Sequence, residues 1–228
     1  CALDTGVGKT SLSVGYIQKM RRDGALEDDK RVLYVCPPKL RGNLPREARK
    51  FLDNPAGFMD SVDVMSYPQL LNALRRDPRF ADGYAAVIFD EAHFLKDPRS
   101  KTTQAVMGIR NPNKVLMTAS PMTRSPVEVF TLAAVANNES LDSPEERVAF
   151  NARLRAFRKR FAAEIGGRIV GIKPDPTTAK DFRVWVKQNL YFADKTDVEE
   201  IVLPAIRKQT MVLTMEPEVE ARYREATS

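Results

Sequence analysis

The chain has 228 residues, 43% of them hydrophobic, and a formal net charge of +6. Two cysteines and one histidine exclude a disulfide framework, a cysteine-rich metal centre and a histidine-rich zinc site, and they agree with a reducing compartment. No run approaches the ~18 apolar residues of a membrane span, so no membrane is expected among its partners, and the basic balance suits a polyanion.

The first signal in chain order is Asp4-Thr5-Gly6-Val7-Gly8-Lys9-Thr10. Gly6 and Gly8 let the backbone amides around Val7 turn inward on phosphate without a Cβ in the way. Lys9 is placed to reach the β and γ phosphates, and Thr10 to put its hydroxyl on Mg²⁺. The helix predicted from about Lys9 presents its amide-rich end to the same charge. Gly6, Val7, Gly8, Lys9 and Thr10 are therefore the expected contacts of a phosphate-binding loop, with ATP and Mg²⁺ as ligands. Leu3 stands where the general pattern has its first glycine, and Cys1 lies almost directly before the loop, so the chain reads as a fragment or an ordered portion.

Four short apolar runs follow: Val32–Cys36, Val62–Met65, Ala85–Phe89 and Val115–Thr118. None shows the clean polar/apolar alternation of a half-exposed strand, and helical patterns separate them. Continuous apolar strands with helices between them predict a parallel sheet covered on both faces. Helix starts are signalled by Ser66 with Gln69, Ser125 with Pro126 and Glu128, and Ser143 with Pro144 and Glu146. The third run ends in Asp90-Glu91-Ala92-His93. Asp90 at a strand end is suited to hold Mg²⁺, and Glu91 beside it to orient and deprotonate the water that attacks the γ-phosphate. His93 lies too far along the turn to be the base, and is assigned to coupling the nucleotide state to a neighbouring segment.

Beyond residue 136 the pattern changes. Phe150, Leu154, Phe157, Phe161 and Ile165 recur at spacings of three and four, predicting one amphipathic helix over Pro144–Ile165 ended by Gly166-Gly167. Arg153, Arg155, Arg158, Lys159 and Arg160 flank this stripe, as a solvated flank or a phosphate-facing patch. Gly171–Asp181 reads as a loop, with a short helix around Phe182–Tyr191 after it. The tail offers a strand at Gln209–Leu213 and a helix from Glu216.

These motifs together resemble superfamily 2 helicases, and within them the Swi/Snf-type double-stranded DNA translocases. Asp4–Thr10 looks like motif I. Val35-Cys36-Pro37-Pro38-Lys39-Leu40 with Asn43-Leu44-Pro45-Arg46-Glu47 looks like motif Ia, Met65-Ser66-Tyr67 like motif Ib, and Asp90–His93 like motif II. Lys96-Asp97-Pro98 and Ser100-Lys101-Thr102 continue motif II in the manner of the Swi/Snf branch. Leu116–Pro121 resembles motif III, and Ser125, Glu128 and Phe130 extend that match. The likeness is strong through about residue 135 and returns over Asp197–Tyr223, whereas Phe192-Ala193 stands where the family has a basic pair.

The resemblance implies an α/β P-loop NTPase: a RecA-like parallel sheet flanked by helices, spanning residues 1–228, with a C-terminal helical insertion at about residues 137–200. It implies catalytic roles for Lys9, Asp90 and Glu91, with Thr10 and Asp90 on the metal. Pro38, Lys39, Ser66 and Tyr67 would face the nucleic-acid backbone, and His93, Thr118 and Ser120 would couple that side to the nucleotide. The implied partners are double-stranded DNA and a second RecA-like lobe of the same protein, which supplies arginine fingers and the opposite wall of the cleft. Two other readings stay open on the sequence alone. One is an RNA helicase or a restriction or anti-restriction motor of the same superfamily; the other is a nucleotide-gated scaffold that binds DNA without moving along it. The modest insertion points to a bacterial or phage motor in the cytoplasm, and a eukaryotic source would place it in the nucleus.

Overall fold

The computed structural model describes residues 2–3, 8–27 and 29–193. The strand and helix expected in the tail, and the Asp197–Tyr223 likeness, lie outside the described residues. Strands β1 (Ala2–Leu3), β2 (Val32–Cys36), β3 (Val62–Ser66), β4 (Ala86–Asp90) and β5 (Lys114–Met117) alternate with helices α1 (Lys9–Arg22), α2 (Asn43–Phe51), α3 (Pro55–Met59), α4 (Tyr67–Arg76) and α5 (Lys101–Met107). Strands β2 to β5 form one parallel sheet in the order β3-β2-β4-β5, with Val32 opposite Val62 and Ala86, and Ile88 opposite Val115. Each strand falls within one residue of its apolar run.

Continuous apolar character follows from two-sided burial. Successive side chains of a strand point to opposite faces. On β2 and β4, Val32, Tyr34, Cys36, Ala86 and Ile88 pack with Val14, Ile17, Leu44 and Phe58 of α1, α2 and α3. The intervening Leu33, Val35, Val87 and Phe89 pack with Leu70, Leu74, Val106 and Met107 of α4 and α5. All of these side chains are buried. Burying one such side chain contributes about 1.5–3 kcal/mol, which makes this two-faced core the main source of sheet stability.

The second face is extended by helices α6 (Pro126–Ala136), α7 (Pro144–Phe161) and α8 (Pro176–Asn189), with the antiparallel pair β6 (Ala162–Ile165) and β7 (Arg168–Ile172) between the last two. Ser66 and Ser143 form full capping boxes with Gln69 and Glu146. Ser125 caps only the Val127 amide, because the Glu128 carboxylate turns instead to the Thr123 amide at 2.7 Å and to Lys96. Phe150, Phe157 and Phe161 are buried and Leu154 packs against them, so the predicted stripe is a core face. Phe157 sits 4.9 Å from Phe130, 4.8 Å from Phe161 and 4.7 Å from Trp185 between ring centroids. Arg153, Arg158 and Arg160 pair at the surface with Glu139, Glu164 and Asp181.

Three expectations for this region need correction. Helix α7 stops at Phe161, and Ile165 is 73% exposed in a strand. Gly166 and Gly167, with φ of 56° and 77°, form the two-residue turn of a hairpin and do not cap a helix. A Gly-Gly pair between short apolar runs is a hairpin signal, because both turn positions need positive φ. Over its described residues the region expected as a helical insertion therefore also holds a strand pair. The loop expected over Gly171–Asp181 is instead the end of β7 and the start of α8, where Asp175 accepts from the Thr177 and Thr178 amides with Pro176 in the first helical position. Finally, Phe192–Ala193 forms β8, paired in parallel with β1 immediately before the phosphate loop.

Candidate nucleotide site at the carboxyl edge of the sheet

Helix α1 begins at Lys9, and Gly8 precedes it with φ of 81° and ψ of 40°. That left-handed conformation suits glycine and turns the chain from loop to helix. Gly6 and Val7 lie outside the described residues. Ser11 donates to Glu47 at 2.8 Å, tying α1 to α2, so the motif I helix and the motif Ia helix are joined side chain to side chain.

β4 carries Asp90 to the edge of the sheet, 3% exposed. Its Oδ1 accepts from the Glu91 amide at 3.0 Å and its Oδ2 from the Tyr34 hydroxyl at 2.7 Å. Its backbone carbonyl accepts from the Tyr67 hydroxyl at 2.8 Å. Burial, and then the Asp90 charge, hold the Tyr34 phenol far above the usual tyrosine range; the same two causes push Tyr67 up and raise the Cys36 thiol to about 11. Asp90 is thus a buried carboxylate with hydrogen bonds but no ion-pair partner among the described residues. Such a charge calls for a cation. No group of three His, Cys, Asp or Glu side chains is assembled to cage a metal among the described residues. A hard cation held by Thr10 and Asp90, with phosphate and water completing its shell, is the arrangement Mg²⁺ prefers, so the donor set fits that ion.

Glu91 has φ of 51° and ψ of 48°, a conformation a non-glycine residue adopts at a cost of about 1–3 kcal/mol. The turn aims its carboxylate between Lys9, 3.9 Å away, and His93 Nδ1, 3.1 Å away. His93 Nδ1 also lies 3.4 Å from Thr118 Oγ1, and Thr118 Oγ1 accepts from the Ser120 amide at 3.1 Å. The expected catalytic and coupling residues are therefore contiguous: Lys9, Glu91, His93, Thr118, Ser120. In the extension of motif II, Lys96 reaches Thr123 at 2.6 Å and Glu128 at 3.3 Å.

The residues expected on the nucleic-acid side divide. Pro38 and Lys39 are exposed on the short 3₁₀ turn Pro38–Leu40 that follows β2 at the same sheet edge. Ser66 and Tyr67 are buried, 5% exposed each. The Ser66 hydroxyl is committed to capping α4. The Tyr67 ring lies under Phe94, 5.3 Å between centroids, with its hydroxyl on Asp90. Both side chains are turned inward, unlike Lys39, and the Tyr67 hydroxyl holds the Asp90 carbonyl. Neither tyrosine hydroxyl on Asp90 was foreseen from the motifs. The available signal was Tyr34 in the otherwise aliphatic run of β2, since a buried tyrosine hydroxyl finds a polar partner.

Comparison with known proteins agrees with this geometry. The sequence profile of the SNF2-related domain matches residues 58–228. A SWI/SNF-related matrix-associated actin-dependent regulator of chromatin subfamily A-like protein 1 homolog from Caenorhabditis elegans is 24% identical over 145 residues, covering 56% of this chain and 20% of that protein. The DNA repair and recombination protein RAD54B of Gallus gallus is 26% identical over 160 residues, covering 61% of this chain and 17% of its own length. The chain thus spans a fifth or less of these curated relatives. Among solved structures, the Sulfolobus solfataricus SWI2/SNF2 ATPase core in complex with dsDNA superposes with a TM-score of 0.62 at 19% identity, over 86% of this chain and 40% of that one. The fold is that of a RecA-like ATPase core. Because the profile takes in most of the chain, including the acidic box and the Thr118–Ser120 turn, the chain belongs to the SNF2-related domain family.

Proposed function

We propose that residues 1–228 are the first motor lobe of an ATP-hydrolysing translocase on double-stranded DNA, completed by a second RecA-like lobe of the same protein. The observation that carries this reading is the run of contacts from Lys9 through Glu91, His93 and Thr118 to Ser120 at one sheet edge. Lys9 and the amides at the start of α1 hold the β and γ phosphates. Mg²⁺, held by Thr10 and Asp90, neutralises phosphate charge when bound. Glu91 orients the attacking water and accepts its proton on a carboxylate oxygen, while the His93 ring fixes the direction of that carboxylate. Thr118 and Ser120 continue the run away from Glu91, as expected of coupling residues.

On the nucleic-acid side, Lys39 is an exposed point charge suited to a backbone phosphate and indifferent to base sequence. A basic cleft of about 590 Å³ between the motif II extension and the β6–β7 turn, with Arg99, Arg124 and Arg168 among its lining, adds to a surface that favours a polyanion. The duplex reading is supported by the superposed Sulfolobus solfataricus core, which was solved in complex with dsDNA, and by the DNA repair function in the name of RAD54B. The test is ATP turnover by the intact two-lobed protein with duplex DNA or RNA. Duplex should stimulate. In Lys39→Ala the log–log salt slope of DNA affinity should fall by about one unit on two unrelated duplexes, with ATP affinity unchanged. Stimulation by RNA alone would overturn the duplex assignment, and an unchanged slope would remove Lys39 from the track.

A further inference from the structure

One of the two residues assigned to the metal is held by a side chain from the neighbouring strand. Tyr34 is fully buried on β2, one strand over from Asp90. Its hydroxyl donates to Asp90 Oδ2 at 2.7 Å. A hydroxyl has one proton to give, and here it is given to the carboxylate. Both Asp90 oxygens are anchored, Oδ1 by the Glu91 amide and Oδ2 by Tyr34, so the carboxylate cannot rotate away.

We propose that Tyr34 is a positioning residue of the divalent-cation site, fixing the Asp90 carboxylate through its hydroxyl. The inference rests on the metal role proposed above for Thr10 and Asp90. It goes further by assigning metal affinity to a side chain that belongs to none of the sequence motifs of the nucleotide site. The ring itself packs among Val32, Cys36 and Ile88, so replacement by phenylalanine keeps the apolar contacts and removes only the hydroxyl.

The experiment titrates Mg²⁺ into the intact protein with a fluorescent ADP, and Mn²⁺ with detection of free ion by electron paramagnetic resonance. Tyr34→Phe should weaken the cation's binding by about 10-fold or more, as loss of an outer partner does at metal sites. ADP affinity without metal should stay at the wild-type value, and excess Mg²⁺ should restore turnover, which it would not do for a folding defect. Asp90→Ala is the control arm. If Asp90→Ala leaves the metal dependence intact, the metal reading itself fails. If Asp90→Ala abolishes it while Tyr34→Phe matches wild type, the role of Tyr34 fails alone. Loss of cooperative unfolding in Tyr34→Phe would assign the hydroxyl to the fold and equally overturn the proposal.

Discussion

The end of β4 and the layer beneath α7 are both buried, yet they are built from opposite materials. Around Asp90, the side chains of Tyr34, Tyr67, Glu91, His93 and Thr118 are joined by directed hydrogen bonds, and one residue sits in a costly backbone conformation. Under α7, Phe130, Phe150, Phe157, Phe161, Phe182 and Trp185 meet through ring contacts, with charges only at the rim. A hydrogen-bonded network is specific about atoms and tolerates little; an aromatic layer is specific about volume. The first region therefore sets chemistry and the second sets stability, and substitutions should separate the two.

The largest effect is expected at the first region. Glu91→Gln should lower ATP turnover in the intact protein by about 10²–10⁴-fold while ATP remains bound, since the group lost is a proton acceptor. Steady-state turnover and nucleotide affinity read the two quantities, and normal turnover would break the assignment. Phe157→Ala should cost about 3–5 kcal/mol in denaturant unfolding, because it empties the centre of the aromatic layer, and metal-dependent nucleotide binding should survive in the folded fraction.

Lys114 sharpens the contrast, because it is a buried charge without a network. It is 9% exposed, and its ammonium has one long contact, 3.5 Å to the Val135 carbonyl. Burial lowers its pKa from 10.5 to about 8, against a raising influence from Asp82. The unfolded chain binds more protons between those values, so this group costs stability fully below about pH 8, and the cost fades as pH rises toward 10.5. Lys114→Met should stabilise the chain at pH 7, by up to about 3 kcal/mol, with the gain shrinking at about pH 10. A gain independent of pH would show that packing, and not charge, is responsible. The smallest effect belongs to the rim: Arg158→Ala should change stability by about 0.5 kcal/mol or less, since its partner Glu164 is itself at the surface. A loss comparable to that of Phe157→Ala would mean the rim charges hold the layer together.

The sheet and the acidic box were legible because each rests on local grammar. An apolar run buried on both faces has no alternative reading once helices flank it, and Ser66 and Ser143 announce their helices through the residue three positions on. The phosphate side of the site was equally local, with Gly8, Lys9 and Thr10 consecutive in sequence. What escaped was set by partners distant in sequence. The helix stripe runs on arithmetically to Ile165, but the Gly166–Gly167 turn and the pairing of Ala162 with Ile172 pull the chain into a hairpin first. Asp175 and Pro176 start α8 before its apolar face becomes visible. Tyr67 belongs to a motif yet faces inward, with Phe94 of the short turn after Asp90 laid across it.

The pairing of β8 with β1 gives the excursion through α7 and α8 a mechanical meaning. The chain leaves the main sheet beside the acidic box, after β5, and comes back as β8 alongside the strand that enters the phosphate loop, joined to it at Ala2–Phe192 and Leu3–Ala193. Displacement of α7 and α8 thus has a covalent route to one wall of the site and two rungs of backbone pairing to the other. The aromatic layer is thus tied at one end, through β5, to the strand that carries Asp90 and at the other, through β8, to β1.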